Sequence, residues 1–124
     1  MKGFVLTYHS HHVVGGVYTR NDHVALAADL ELIAELGCEI VPLRGFVDAV
    51  FGSRGTKAGG SRSKVSLTFD DGPIYGVEPF THPRFGPQRG FLRIMRDFIA
   101  RRGTALQPGL SATSFVIASP EARA

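Results

Sequence analysis

Cysteine is nearly absent. The chain of 124 residues carries one, Cys38, in the apolar stretch "ELGCEIVPL". A single thiol forms no internal disulfide, so nothing here asks for an oxidising compartment, and the usual burial of free cysteine assigns Cys38 to core packing over a reactive role. Long apolar runs are missing from the amino terminus as well. In "MKGFVLTYHSHH" only Phe4 to Leu6 is apolar before polar residues begin, too short for a signal peptide or a membrane span. The expected compartment is the cytoplasm, with no membrane partner. A large charge of one sign is also lacking: fourteen Lys and Arg against eleven Asp and Glu leave +3, which does not by itself imply nucleic acid.

The residues that are present describe a folded α/β domain, or part of one. Hydrophobic residues make up 44% of the chain and glycine contributes 15 positions, a composition that excludes intrinsic disorder. Phe4 to His9 reads as a strand rich in aromatic and β-branched residues, ending in the histidine-rich turn "SHHVVGG". Asn21 or Asp22 caps a following helix with Leu26, Leu30 and Ile33 inward and Asp29, Glu31 and Glu35 on the other side, which Gly37 stops. Cys38 to Leu43 is a second strand and Arg44 to Phe51 a short amphipathic helix. The run "GSRGTKAGGSRSK", with Arg54, Lys57, Arg62 and Lys64 among glycines and serines, reads as a solvated loop, because it lacks the ordered glycines, lysine and serine of a nucleotide loop.

Val65 to Phe69 supplies a third strand. The segment Asp71 to Arg89, with prolines at 73, 79, 83 and 87, is expected to be irregular. Phe91, Leu92, Ile94, Met95, Phe98 and Ile99 form the apolar face of a helix that "RRGT" ends, and "ATSFVIASP" adds a fourth strand. Alternation of this kind predicts parallel pairing with right-handed crossovers, in an open sheet or a closed barrel. Ser119, Pro120 and Glu121 announce another helix with room for barely one turn, so the chain is expected to be cut there, leaving the apolar strand Phe115 to Ile117 as an uncovered edge prone to self-association.

Chemistry gathers at the carboxyl ends of parallel strands. His9 closes the first strand, and "SLTFDDGP" closes the third on the adjacent acids Asp70 and Asp71, where Gly72 and Pro73 turn the backbone away. One such carboxylate can accept a proton from water while its neighbour holds a metal. Turns and helix caps also produce "DDG", so the pattern alone is weak.

The combination of "LTYHS", "VSLTFDDGP" and "ATSFVIAS" resembles the polysaccharide deacetylase family, with its NodB-type homology domain, and covers roughly the first half of that domain. The resemblance implies a parallel-strand (β/α) barrel, here about half a barrel of four strands with intervening helices, spanning residues 1–124. It implies hydrolysis of an N-acetyl amide on a carbohydrate, with Asp70 as catalytic base, Asp71 as ligand to a divalent metal, usually zinc, and His9 as a substrate-contacting or pocket-shaping residue. The family's second motif, two histidines separated by three residues, is absent: His9, His11, His12, His23 and His82 include no such pair. The expected metal site therefore has an incomplete ligand set, residues 1–124 by themselves are expected to be inactive, and a catalytically dead remnant or carbohydrate-binding module is the alternative. His9, His11 and His12 read as a polar loop with one pocket-lining histidine in preference to a metal cluster. The arginines at 84, 89, 93, 96, 101 and 102 read as a solvated helix surface in preference to a nucleic-acid face, because the neighbouring phenylalanines keep core spacing.

Overall fold

The computed structural model describes residues 3–9, 12–52, 62–70 and 78–116. Its elements in chain order are β1 (Gly3–His9), α1 (Asp22–Glu35), β2 (Glu39–Ile40), α2 (Leu43–Phe51), β3 (Lys64–Asp70), β4 (Phe80–His82), β5 (Gly86–Gln88), α3 (Phe91–Arg102) and β6 (Ala112–Ser114). β3 is the spine. It pairs in parallel with β1 along its whole length, and on its other side with β2 at Lys64 and Val65 and with β6 from Leu67 to Phe69. The result is a mixed α/β fold with an open parallel sheet and flanking helices, and the described strands do not close into a barrel. Among the described residues, no helix is long and apolar enough to cross a membrane.

Alternation along the strands separates two faces. Leu6 and Tyr8 of β1 and Val65, Leu67 and Phe69 of β3 join the core formed with α1 and α3, where Phe91 meets both Tyr8 and Phe69 with ring centroids 6.1 and 4.4 Å apart. The opposite face is polar: the Thr7 and Thr68 hydroxyls are hydrogen-bonded at 2.9 Å, and His9 and Asp70 are register partners one layer beyond. α2 packs near the amino end of β1, close enough that a methyl group on Gly3 would come within 2.6 Å of the Phe46 ring.

Asn21 is the N-cap of α1, accepting from the backbone amides of His23 at 2.9 Å and Val24 at 3.3 Å. Asp29 is not on the outer face as the helical reading expected. It is 8% exposed, since positions 26, 29 and 33 are spaced three and four apart and share one stripe. Its carboxylate accepts the Tyr8 hydroxyl at 2.7 Å and the Tyr18 hydroxyl at 2.6 Å, which ties the turn before α1 to the sheet.

The second strand is shorter than Cys38 to Leu43. Val41 still donates to the Val65 carbonyl at 2.9 Å, but Pro42 has no amide to continue the ladder and becomes the N-cap residue of α2. Gln107, 1% exposed, takes the place of a further strand there: its side-chain oxygen accepts from the Ile40 amide and its nitrogen donates to the Cys38 carbonyl, both at 2.8 Å. Cys38 itself is half-buried against the core, in line with a packing role.

The proline-rich segment is not irregular throughout. β4 and β5 form an antiparallel hairpin in which Thr81 opposes Pro87, a placement open to proline because each strand of a two-stranded ribbon keeps a free edge. His82 organises the turn, its Nδ1 accepting from the amides of Arg84 at 3.0 Å and Phe85 at 3.1 Å. In the basic run, residues 53–61 lie outside the described residues. Arg62 is a structural clamp and not a solvated loop residue, donating to the carbonyls of Gly37, Cys38 and Leu106, and Lys64 pairs with Glu39. β6 begins as expected, with Phe115 and Val116 beyond it 50% and 69% exposed, while the helix announced by Ser119, Pro120 and Glu121 lies outside the described residues.

Two outcomes follow for stability. Gln107→Leu leaves the Ile40 amide buried without an acceptor, and urea denaturation should show a loss of about 1–3 kcal/mol. Burial, then the hydrogen bond to Asp29, holds the Tyr8 hydroxyl far above the ordinary tyrosine range, so the folded state retains a proton that the unfolded state releases. This contribution is full below about pH 10 and is lost as pH rises further, by up to about 1.4 kcal/mol per pH unit. Denaturation curves of Tyr8→Phe should show a shallower alkaline slope, the remainder coming from Tyr18, which its hydrogen bond to Asp29 also holds above the ordinary tyrosine range.

Candidate functional site

Parallel register carries the two sequence-predicted strand-end residues to one place. His9 and Asp70 are the last register partners of β1 and β3, and parallel partners project to the same face. Their side chains approach to 3.4 Å, His9 Nε2 to Asp70 Oδ2, at the carboxyl edge of the sheet with roughly half of each exposed. Asp71 and His11 lie outside the described residues.

A third group, Asp22, completes the arrangement. It occupies the first turn of α1, and its contacts with His9 place the helix N-terminus at the end of β1. Asp22 Oδ2 accepts the His9 backbone amide at 2.6 Å and lies 3.7 Å from His9 Nδ1. Asp22 Oδ1 is 2.7 Å from His12 Nδ1, and since a carboxylate only accepts, that nitrogen carries the proton. Backbone bonds close the same turn, from the His12 amide to the His9 carbonyl at 3.1 Å and from the Asp22 amide to the His12 carbonyl at 2.7 Å. The His9 imidazole thus stands between two carboxylates: Asp22, whose side chain is 16% exposed, faces Nδ1, and the more open Asp70 faces Nε2.

The sequence reading offered Asp22 only as an alternative helix cap. The signal it contained was positional: in a strand-helix unit, the first turn of the helix lies beside the carboxyl end of the strand that precedes it. His12 is drawn to Asp22, and His23 is buried on α1 with its ring stacked on Phe91 at 4.4 Å. The histidines therefore serve different places.

Zinc takes four ligands in its structural sites and three protein ligands in catalytic ones. His9 and Asp70 contribute two nearby donors, while both oxygens of Asp22 are engaged by the turn. Among the described residues, no group of three or more His, Cys, Asp or Glu could hold a metal ion. These residues alone do not fit a zinc centre.

Four of the arginines are paired, two to each of two carboxylates. Arg89 and Arg93 pair with Asp97 at 2.9 and 3.0 Å, and Arg101 and Arg102 reach Glu31 of α1 at 2.8 Å each. Hydrogen bonds from Arg101 first, then Arg102, hold the Glu31 carboxyl below its ordinary range. Arg101 and Arg102 tie α1 to α3, whereas Arg89 and Arg93 are paired to α3 itself.

No family model, no curated protein and no solved structure matches the chain.

Asp22→Ala should open the turn after β1. Hydrogen bonds to a charged acceptor are worth about 1.5–3 kcal/mol each, so unfolding in urea should show a loss of that order. Amide exchange at His9 should accelerate at least about tenfold, because its amide loses its acceptor.

Proposed function

We propose that this chain carries a hydrolytic site of the polysaccharide deacetylase type, built on the first half of a (β/α) barrel and acting on N-acetyl groups of a carbohydrate in the cytoplasm. The observation that supports it best is the placement of Asp70 at the carboxyl end of the central parallel strand, 3.4 Å from a histidine that Asp22 holds from the other side. In this reading Asp70 is the catalytic base. It takes a proton from the water that attacks the acetamide carbonyl, the carbon–nitrogen bond breaks, the amine leaves protonated, and acetate is released.

His9 is a positioning residue for that step. Asp22 fixes the backbone at His9 and faces its Nδ1, which directs Nε2 toward Asp70 and limits the rotamers open to that carboxylate. The exposure of both side chains suits a polymer or a large sugar, since the reacting group need not enter a closed cavity. The family resemblance adds Asp71 as ligand to a divalent metal, usually zinc. Phe115 and Val116, exposed beside β6, support self-association as part of the same proposal.

The two-donor arrangement favours a second reading, a carbohydrate-binding module without catalysis. The native protein, supplied with zinc and N-acetylglucosamine oligomers, should release acetate, and Asp70→Asn should lower the rate by about 10²–10⁴-fold, the usual contribution of a general base, whereas residues 1–124 by themselves, with their incomplete ligand set, should be inactive. A folded native chain that releases no acetate overturns the catalytic reading. Saturable binding of the same oligomers would then support the binding module.

A further inference from the structure

Among the described residues, one buried carboxylate has no cation paired with it. The ion pairs of the described residues engage Asp22, Asp70, Glu39, Asp97 and Glu31, whereas Asp29, only 8% exposed, has the hydroxyls of Tyr8 and Tyr18 as its partners. Each hydroxyl fills one acceptor position on a different oxygen, and an ionised carboxylate offers about four such positions. The carboxylate therefore has acceptor positions beyond these two hydroxyls, and a carboxylate held among apolar groups is stabilised by a cation that fills them.

The same carboxylate lines an open cavity of about 310 Å³ between β1 and α1. Its walls include Phe4 and Leu6 from the strand and Leu32 and Leu36 from the helix, with Tyr18 beside Asp29. Phe4, Tyr18, Leu32 and Leu36 are each at least 50% exposed, so a contiguous apolar lining converges on a single anionic group. The volume lies at the lower end of small-ligand pockets, which are mostly apolar with a few placed polar groups.

We propose that this cavity binds an organic ammonium ion with an alkyl or aryl-alkyl tail. The ammonium donates to the free acceptor positions of Asp29 and supplies the missing positive charge, while the tail covers Phe4, Leu6, Leu32 and Leu36. A neutral molecule of the same shape would cover the walls and leave the charge uncompensated. An anion would be repelled. The site is separate from the His9 and Asp70 edge, since its lining includes neither residue.

Isothermal titration of the full chain with hexylammonium chloride and, separately, with 1-hexanol tests the proposal. Saturable one-to-one binding of the amine, at least tenfold tighter than the alcohol and weakened at least tenfold in Asp29→Asn, is expected. Leu32→Arg, a change at an exposed helix position, places a tethered cation at the cavity and should abolish amine binding while circular dichroism and thermal unfolding stay native-like. This second variant carries the test if Asp29→Asn fails to fold. Equal affinity for amine and alcohol, no binding of the amine, or unchanged amine binding by a folded Leu32→Arg protein would each overturn the proposal.

Discussion

The parallel ladder between β1 and β3 is the interaction on which the other arrangements rest. Its seven paired positions run from Gly3 and Lys64 to His9 and Asp70, and the side-chain period of a strand allows no half-measure in how they align. A slip of one residue would exchange the faces, turning Leu6 and Tyr8 away from the helices and carrying His9 out of reach of Asp70. The aromatic contacts of Tyr8 with Phe69 and Phe91 and the hydroxyl pair of Thr7 and Thr68 specify the same register from opposite faces. Core packing and site geometry are thus set by one alignment.

Asp22 shows how a residue at an element boundary can serve both levels. It stands in the first turn of α1, where a negative charge is favoured by the helix dipole, and it also receives the amide that closes the preceding turn. The helix position and the loop path are therefore coupled through a single carboxylate. Asn21 acts in parallel one residue earlier, capping the helix with its oxygen while its amide nitrogen donates to Gly15 and Gln88. Two adjacent polar residues anchor three segments of chain.

Much of this order was legible in the sequence because it follows from period and capping. The strands around Phe4 to His9 and Val65 to Phe69, the start of α1 at Asn21, and the apolar face and end of α3 are local patterns with local causes. The candidate site was legible at His9 and Asp70, since both close apolar strands. What was not legible depended on partners distant in sequence. Asp29 reads as a solvent residue until Tyr8 and Tyr18 are brought to it. Gln107 reads as a loop residue until β2 presents an edge that needs an acceptor. The hairpin at β4 and β5 was hidden by its prolines, because a proline penalty assumes a strand with neighbours on both sides.

The separation of the ladder's two strands has a consequence for how the chain is made. Thr7 and Thr68 are 61 residues apart, so β1 leaves the ribosome well before the strand it pairs with. At bacterial or eukaryotic elongation speeds of about 5–20 residues per second, the delay is about 3–12 seconds. Throughout that interval Phe4, Leu6 and Tyr8 have no ladder, and their unpaired amides and carbonyls present a strand edge to other nascent chains; α1 becomes available to lean on only once Glu35 has been made, about halfway through. Early docking of α1, through the Tyr8–Asp29 hydrogen bond, would be the means by which the amino terminus is sheltered until Lys64 to Asp70 arrives.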